Sequence, residues 1–98
     1  MSSDLVGRSV LVTGSSRGVG RRLAERMIAE GCRVAINGRD LQAVEEVVSG
    51  LGGSVPVVGD VSTPDGARTV IDGTVAALGG LDVLVCNVGG GRSVPPGE

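Results

Sequence analysis

A glycine-rich segment follows the first apolar run of the sequence, and its residues are Thr13-Gly14-Ser15-Ser16-Arg17-Gly18-Val19-Gly20. Gly14 permits a tight turn after a strand, Gly18 lets a pyrophosphate approach the main chain, and Gly20 lets the following helix lie close to the sheet. A helix N-terminus offers unpaired N–H groups and a partial positive charge, to which Ser15 and Ser16 can add hydroxyl donors. The segment therefore predicts a phosphate-binding turn, and the alternative is an ordinary glycine-rich turn.

The composition excludes several complete catalytic sites. None of the 98 residues is His, Tyr, Phe or Trp, and all nine basic residues are Arg. Without His the chain has no Ser-His-Asp triad and no Cys-His pair, and without Lys it has no Schiff-base nucleophile and no Walker-type phosphate lysine. Binding is therefore expected rather than complete catalysis. No catalytic residue and no metal site are predicted.

Charge and hydropathy limit the partners that we expect. The chain has 11 acidic and 9 basic residues, a net charge of -2, which argues against nucleic acid or an anionic membrane as partner. No apolar run approaches the roughly 18 residues of a membrane helix, and the first residues do not resemble a signal peptide. Cys32 and Cys86 do not form a disulfide framework, and Cys86 is expected to be a buried thiol. A cytoplasmic location is the resulting expectation.

Apolar runs alternate with helical patterns along the chain, which is typical of βαβ units and a parallel sheet. The predicted strands cover residues 9–13, 33–37, 54–58 and 81–86, and the predicted helices cover 19–30, 40–50 and 62–78. Strand 81–86 is nearly all apolar, as expected of a strand buried on both faces. Pro56 predicts that the third strand lies at an edge, because proline cannot donate to a ladder.

Right-handed crossovers arrange these elements as a doubly wound α/β sheet with the strand order 3-2-1-4. The first two helices are expected on one face of the sheet and the third helix on the other. The fourth strand would then be an unprotected edge, covered by one helix only. A completed sheet would need more chain than these residues supply.

With glycines four and then two positions apart, segment 13–20 resembles the short-chain dehydrogenase/reductase family, whose pattern is Thr-Gly-x-x-x-Gly-x-Gly. In that family an acidic residue after the third strand contacts adenine, and Asp60 matches it, followed by Val61. The resemblance covers essentially the whole chain, but only the first half or less of a typical member. It implies an oxidoreductase that binds a nicotinamide dinucleotide.

A second family segment, Asn-Asn-Ala-Gly after the fourth strand, matches this chain at Asn87 and Gly89. Cys86 replaces the first asparagine and Val88 replaces the alanine. The resemblance implies that Asn87 keeps its structural role and that Gly89 keeps its close approach to the cofactor. The hydrogen bonding of the first asparagine is not reproduced at position 86.

The resemblance implies a Rossmann-type fold that is incomplete relative to the family. Residues 1–98 would form a partial dinucleotide-binding domain, with 86–98 as a loop or tail. The family transfers hydride to or from a carbonyl or alcohol substrate with a serine and a Tyr-x-x-x-Lys pair that lie beyond the fourth strand. Because this chain has neither Tyr nor Lys, we predict that by itself it binds the cofactor and turns nothing over.

The end of the second strand favours NADP(H) over NAD(H). An NAD-selective site usually ends this strand with an acid that binds the ribose hydroxyls. Here Gly38 and Arg39 occupy this place, and Asp40 is better placed to cap the next helix. Arg39 and Arg17 could bind a 2′-phosphate by bidentate hydrogen bonds, as in the NADP-preferring branch that they resemble. The alternative is two solvated arginines.

The predicted cofactor-binding residues are Gly14, Ser15, Ser16, Arg17, Gly18, Val19, Gly20, Arg39, Asp60, Val61, Asn87 and Gly89. Two other functions stay open. One is a non-catalytic nucleotide-binding or regulatory module. The other is an interaction module whose open sheet edge pairs with a second copy or with a complementing chain, which an exposed apolar sheet face would favour.

Overall fold

The computed structural model describes residues 5–87, which form a four-stranded parallel sheet and three helices. The strands are β1 (Ser9–Val12), β2 (Arg33–Gly38), β3 (Ser54–Val58) and β4 (Val83–Val85), and the helices are α1 (Gly18–Ala29), α2 (Leu41–Gly50) and α3 (Pro64–Leu78). The strand order is β3-β2-β1-β4, and each neighbouring pair is parallel. The predicted α/β class and strand order are thus confirmed, and Pro56 lies in the terminal strand β3 as expected.

Alternate residues of β1 and β2 supply two cores on opposite faces of the sheet, because successive side chains of a strand point to opposite sides. The core on the face of α1 and α2 contains Val10, Val12, Ala24, Cys32, Val34, Ile36, Val44 and Val47. The core on the face of α3 contains Leu11, Ala35, Val57, Val70 and Leu78. This arrangement confirms the predicted distribution of helices and explains why residues 10–12 of β1 and 34–36 of β2 are continuously apolar.

Side-chain caps start two of the three helices. The Asp40 carboxylate accepts from the Gln42 N–H at 3.0 Å before α2. The Thr63 hydroxyl accepts from the Gly66 N–H at 3.0 Å before α3, whose first residue is Pro64. Such caps satisfy N–H groups that the helix itself leaves unpaired. The residue before α1, in contrast, makes no side-chain cap.

Strand β4 differs from its prediction. It covers three residues rather than the range 81–86, and Leu84 on the α3 face is 45% exposed. Within residues 5–87, β4 pairs only with β1, and the partly buried Val83 and Val85 pack against the other core. The expected burial on both faces is therefore wrong for these residues, because the α3 face of β4 is only partly covered.

None of the helices in the described part of the chain combines the length and the apolar character needed to span a bilayer.

Candidate functional site

The chain makes two sharp backbone turns between β1 and α1. Gly14 and Gly18 both have a φ of +61°, a conformation that residues with a Cβ rarely adopt. A Cβ built on Gly18 meets no atom within 4 Å, so open space lies outside the main chain there. The loop therefore exposes its backbone at the point where the sequence predicts a pyrophosphate.

Gly20 is buried in the first turn of α1. A Cβ at this position would overlap the Gly14 carbonyl oxygen and lie 2.5 Å from Nδ2 of Asn87. The sequence predicts that Gly20 lets the helix lie close to the sheet, and in the structure its close contacts are with the preceding loop at Gly14 and with Asn87, two residues after β4. Any side chain here would push α1 away from the loop.

The N-terminus of α1 carries neither a side-chain cap nor an acidic residue in its first turn. Its partial positive charge is therefore not offset by a carboxylate of that turn. Arg17 and Val19 beside it are exposed, with Val19 at 64%. An anion fits this helix end, since the main-chain N–H groups of the first turn point out of the helix.

Ser15 and Ser16 lie in different surroundings. Ser15 is fully buried, and its hydroxyl donates to the Val12 carbonyl at 2.7 Å. A hydroxyl has one proton to donate, so the geometry corrects the expectation that Ser15 donates to a phosphate. Ser16 is partly exposed, and its Oγ would lie 2.7 Å from a Cβ on Gly38, so it packs on the end of β2.

Arg39 and Asp60 lie near one another after β2 and β3. The pKa of Asp60 is below its ordinary value, because the hydroxyl and N–H of Ser62 donate to its carboxylate at 2.6 and 2.9 Å. The positive charge of Arg39 lowers the same pKa further. Arg39 is exposed, and Asp40 caps α2, which leaves Arg39 as the charged side chain presented at the end of β2.

Val61 packs against the α3-side core rather than standing free after Asp60. Together with Thr13, Leu84 and Cys86 it lines an apolar hollow between α3, β1 and β4. Cys86 is exposed, so the expectation of a buried thiol is wrong at this position, whereas Cys32 is buried.

Asn87 joins the end of β4 to the glycine-rich loop. Its Nδ2 donates to the Gly14 carbonyl at 3.2 Å, and its main-chain N–H donates to the Thr13 hydroxyl at 2.8 Å. These bonds give Asn87 the structural role that the family resemblance implied. Gly89 lies outside the described residues.

The predicted residues that the structure describes converge at one edge of the sheet. The glycine-rich loop, Arg39, Asp60 and Asn87 each follow the carboxyl end of a strand, which is where ligands bind in open α/β sheets. Sequence reasoning missed the part of Asn37, a buried residue of β2 that bonds to this loop. The available signal was a polar residue directly after the apolar run 34–36 of β2.

Comparison with known proteins identifies the family. The sequence matches the short chain dehydrogenase family over residues 8–98. Because this match spans nearly the whole chain, the protein belongs to that family of oxidoreductases, whose members share an NAD(P)-binding Rossmann fold.

The curated relatives are much longer than this chain. It is 46% identical over 88 residues to a glucose 1-dehydrogenase of Gluconobacter oxydans, covering 85% of this chain and 33% of the relative. It is 39% identical over 93 residues to 11-beta-hydroxysteroid dehydrogenase 1A of Arabidopsis thaliana, and this match covers 90% of this chain and 27% of the relative. The chain thus spans about a third of the length of these relatives.

Solved structures share the fold. L-sorbose reductase from Gluconobacter frateurii, complexed with NADPH and L-sorbose, superposes with a TM-score of 0.86 at 30% identity over 98% of this chain and 38% of that chain. A 3-ketoacyl-(acyl-carrier-protein) reductase from Brucella melitensis, complexed with NADH, superposes with a TM-score of 0.77 at 27% identity. This match covers 83% of this chain and 34% of that chain.

Proposed function

We propose that this chain binds a nicotinamide dinucleotide, with the diphosphate at the N-terminus of α1. The observation that carries the proposal is the open space outside Gly18, next to a helix end without a side-chain cap. The first-turn N–H groups would hold the diphosphate oxygens. Asp60 and Val61 would contact the adenine. Asn87 would hold the glycine-rich loop in place through its hydrogen bond to the Gly14 carbonyl.

NADP(H) is favoured over NAD(H) in this proposal. Arg17 is exposed on the glycine-rich loop, and Arg39 is exposed directly after β2. Asp40, the acid nearest to the end of β2, accepts a hydrogen bond from the first turn of α2. A carboxylate at this place would repel a 2′-phosphate, whereas a guanidinium binds it with two hydrogen bonds.

For the whole protein we propose hydride transfer between the nicotinamide and a carbonyl or alcohol substrate. The bound nicotinamide would supply or accept the hydride. This chain has no Tyr and no Lys to hold or move the accompanying proton, so its residues bind and orient the cofactor only. The chain by itself is therefore proposed to be inactive, and a cytoplasmic location without a nucleic-acid partner completes the proposal.

Titration with NADPH, followed by its fluorescence, tests the proposed function and the cofactor preference. We expect saturable binding that is tighter than for NADH. Arg39→Ala should weaken NADPH binding by roughly 10- to 100-fold and leave NADH nearly unchanged, because one charge-assisted contact is worth roughly 1.5–3 kcal/mol and about 1.4 kcal/mol corresponds to tenfold.

The matched control is Arg26→Ala, which makes the same charge change at an exposed position of α1 where Arg26 pairs with Glu30 at 3.2 Å. It should leave both affinities unchanged. Equal losses of NADPH and NADH affinity in Arg39→Ala would contradict the role of Arg39 at the 2′-phosphate, and no binding of either nucleotide would contradict the proposed function.

A second candidate function is an interaction module. The exposed Leu84 on β4 lines the apolar hollow together with Leu11 and Ile71. Exposed apolar surface of this kind favours pairing with a second copy or with a complementing chain. The hollow shares Thr13 and Val61 with the proposed dinucleotide site, whereas the proposed diphosphate contacts at the N-terminus of α1 lie outside it.

A further inference from the structure

We propose that Asn37 is a positioning residue for the proposed dinucleotide site, which we call the cofactor cleft, because its side chain connects the glycine-rich loop, residues 13–20, with the loop after β3 that carries Asp60. The inference rests on the proposed dinucleotide binding and adds to it a residue that need not touch the ligand. Asn37 is 1% exposed and lies at the carboxyl end of β2, between the two parts of the proposed site.

The carboxamide of Asn37 uses its acceptor and both of its donors. Its Oδ1 accepts from the Gly14 N–H at 3.0 Å, at the first turn of the glycine-rich loop. Its Nδ2 donates to the carbonyls of Val57 at 3.0 Å and Gly59 at 3.2 Å. One side chain therefore connects the turn after β1 with the end of β3, and Gly59 directly precedes Asp60.

The main chain of Asn37 adds two more bonds to the same loop. Its N–H donates to the Ser15 hydroxyl at 2.9 Å, and its carbonyl accepts from the Ser15 N–H at 2.7 Å. Ser15 is itself fully buried and bound to Val12. Residues 14 and 15 are thus fixed to the end of β2 by a part-buried bond to the Asn37 carboxamide and by a buried bond between its N–H and the Ser15 hydroxyl.

Only a carboxamide satisfies this set of partners. It offers an acceptor to one N–H and two donors to two carbonyls, whereas an ionised carboxylate has no donor and an aliphatic side chain has neither. Loss of the amide leaves buried main-chain groups unpaired, which is costly in a site of low dielectric.

The consequence for binding concerns both parts of the cleft at once. A dinucleotide must contact the phosphate loop with its diphosphate and the loop after β3 with its adenosine. Because Asn37 bonds to Gly14 and Gly59, it sets the spacing between these two contacts. Its substitution should weaken ligand binding even in molecules that remain folded.

The variant Asn37→Asp tests this with a pH profile. The carboxylate would be buried and would face the carbonyls of Val57 and Gly59, so burial and repulsion raise its pKa, and the single bond donated by the Gly14 N–H opposes them only in part. Once protonated, it donates to one of these carbonyls and repulsion ends. We therefore expect the NADPH affinity of Asn37→Asp, divided by that of the unmodified chain, to rise about tenfold as pH falls from about 7.5 to about 5.

Other ionisable groups lie at the same end of the sheet and belong to both proteins, so the effects that they have independently of residue 37 cancel in the ratio, whereas their interaction with the new carboxylate contributes to its pKa. They are Arg17 on the glycine-rich loop, Arg39 and Asp40 after β2, Asp60 after β3, Asp65 at the start of α3 and Cys86 after β4. The affinities are referred to the folded fraction, which circular dichroism gives for each protein at each pH.

Two further variants separate positioning from stability. Val47→Ala removes a buried side chain from α2 without touching a polar bond of the cleft, and its affinity ratio should stay flat with pH. Ser15→Ala removes the hydroxyl partner of the Asn37 N–H and should weaken NADPH binding at every pH, because it adds no titratable group.

The outcomes distinguish this inference from the proposed function. A pH-dependent ratio for Asn37→Asp, together with weaker binding by Ser15→Ala, supports the positioning role. NADPH binding by the unmodified chain with a flat ratio for Asn37→Asp, or with unchanged affinity in Ser15→Ala, overturns it while leaving the proposed function intact. Failure of the unmodified chain to bind NADPH contradicts the proposed function and the positioning role with it.

Discussion

At the scale of single residues, two glycines of the same loop are required for different reasons. Gly18 stands where the main chain borders open space, whereas Gly20 stands where the main chain meets other protein atoms. The first property admits a ligand, and the second brings the helix end close to it. Both are needed before the partial charge of α1 can act on a diphosphate at short range.

We expect Gly20→Ala to lower the free energy of unfolding by about 1–3 kcal/mol, because its Cβ overlaps the Gly14 carbonyl and neither group is a flexible side chain. NADPH affinity should fall as well, since the helix end shifts. Urea denaturation and NADPH titration measure the two effects.

Gly50→Ala is the matched control, because Gly50 ends α2 and a Cβ there meets no atom within 4 Å. It should be neutral or slightly stabilising. Equal stability of the two alanine variants would contradict the tight packing assigned to Gly20.

At the scale of elements, the three helices differ in how their first turns are satisfied. Asp40 and Thr63 cap α2 and α3, so a side chain satisfies one first-turn N–H of each of those helices. The end of α1 has no side-chain cap and faces the proposed diphosphate. Two of the helices therefore begin with a side-chain cap, and the third is the one at which we propose that the diphosphate binds.

Thr63→Ala should destabilise the chain by about 1 kcal/mol, because the Gly66 N–H loses the hydroxyl that accepts from it. The control Thr69→Ala changes an exposed residue inside α3 and should be neutral or slightly stabilising, since alanine has the higher helix propensity. The midpoints of thermal unfolding compare the two. Similar midpoints for both variants would show that the cap contributes little.

At the scale of the whole molecule, the sheet is covered unequally. On one face, α1 and α2 cover the side chains of β1 and β2. On the other face, Leu84 of β4 stays 45% exposed. A short chain with such surface gains stability by pairing, since association removes apolar area from water.

We expect native mass spectrometry to detect species larger than the monomer, and Leu84→Glu to shift them toward the monomer. Leu23→Glu is the matched control, because Leu23 is 38% exposed on α1, on the opposite face of the sheet. A monomer at all concentrations, or equal shifts in both variants, would contradict the interaction candidate.

The sequence by itself determined the order and type of the elements, the strand order and the position of the glycine-rich loop between β1 and α1. These features depend on local patterns: apolar runs, helical spacing, and capping or glycine residues at the boundaries. The right-handed crossover then leaves one sheet order for this succession. Even the edge position of β3 followed from a single residue, Pro56.

Only the tertiary structure decided how polar groups pair inside the cleft. Asn37 bonds to groups that lie 20 to 23 positions away along the chain. The Ser15 hydroxyl donates to the Val12 carbonyl, so it is not free to donate to a ligand. The exposure of Cys86 and Leu84 likewise depends on which elements cover them. Local patterns do not encode these outcomes, because each depends on the distance and direction between segments that meet only after the sheet has formed.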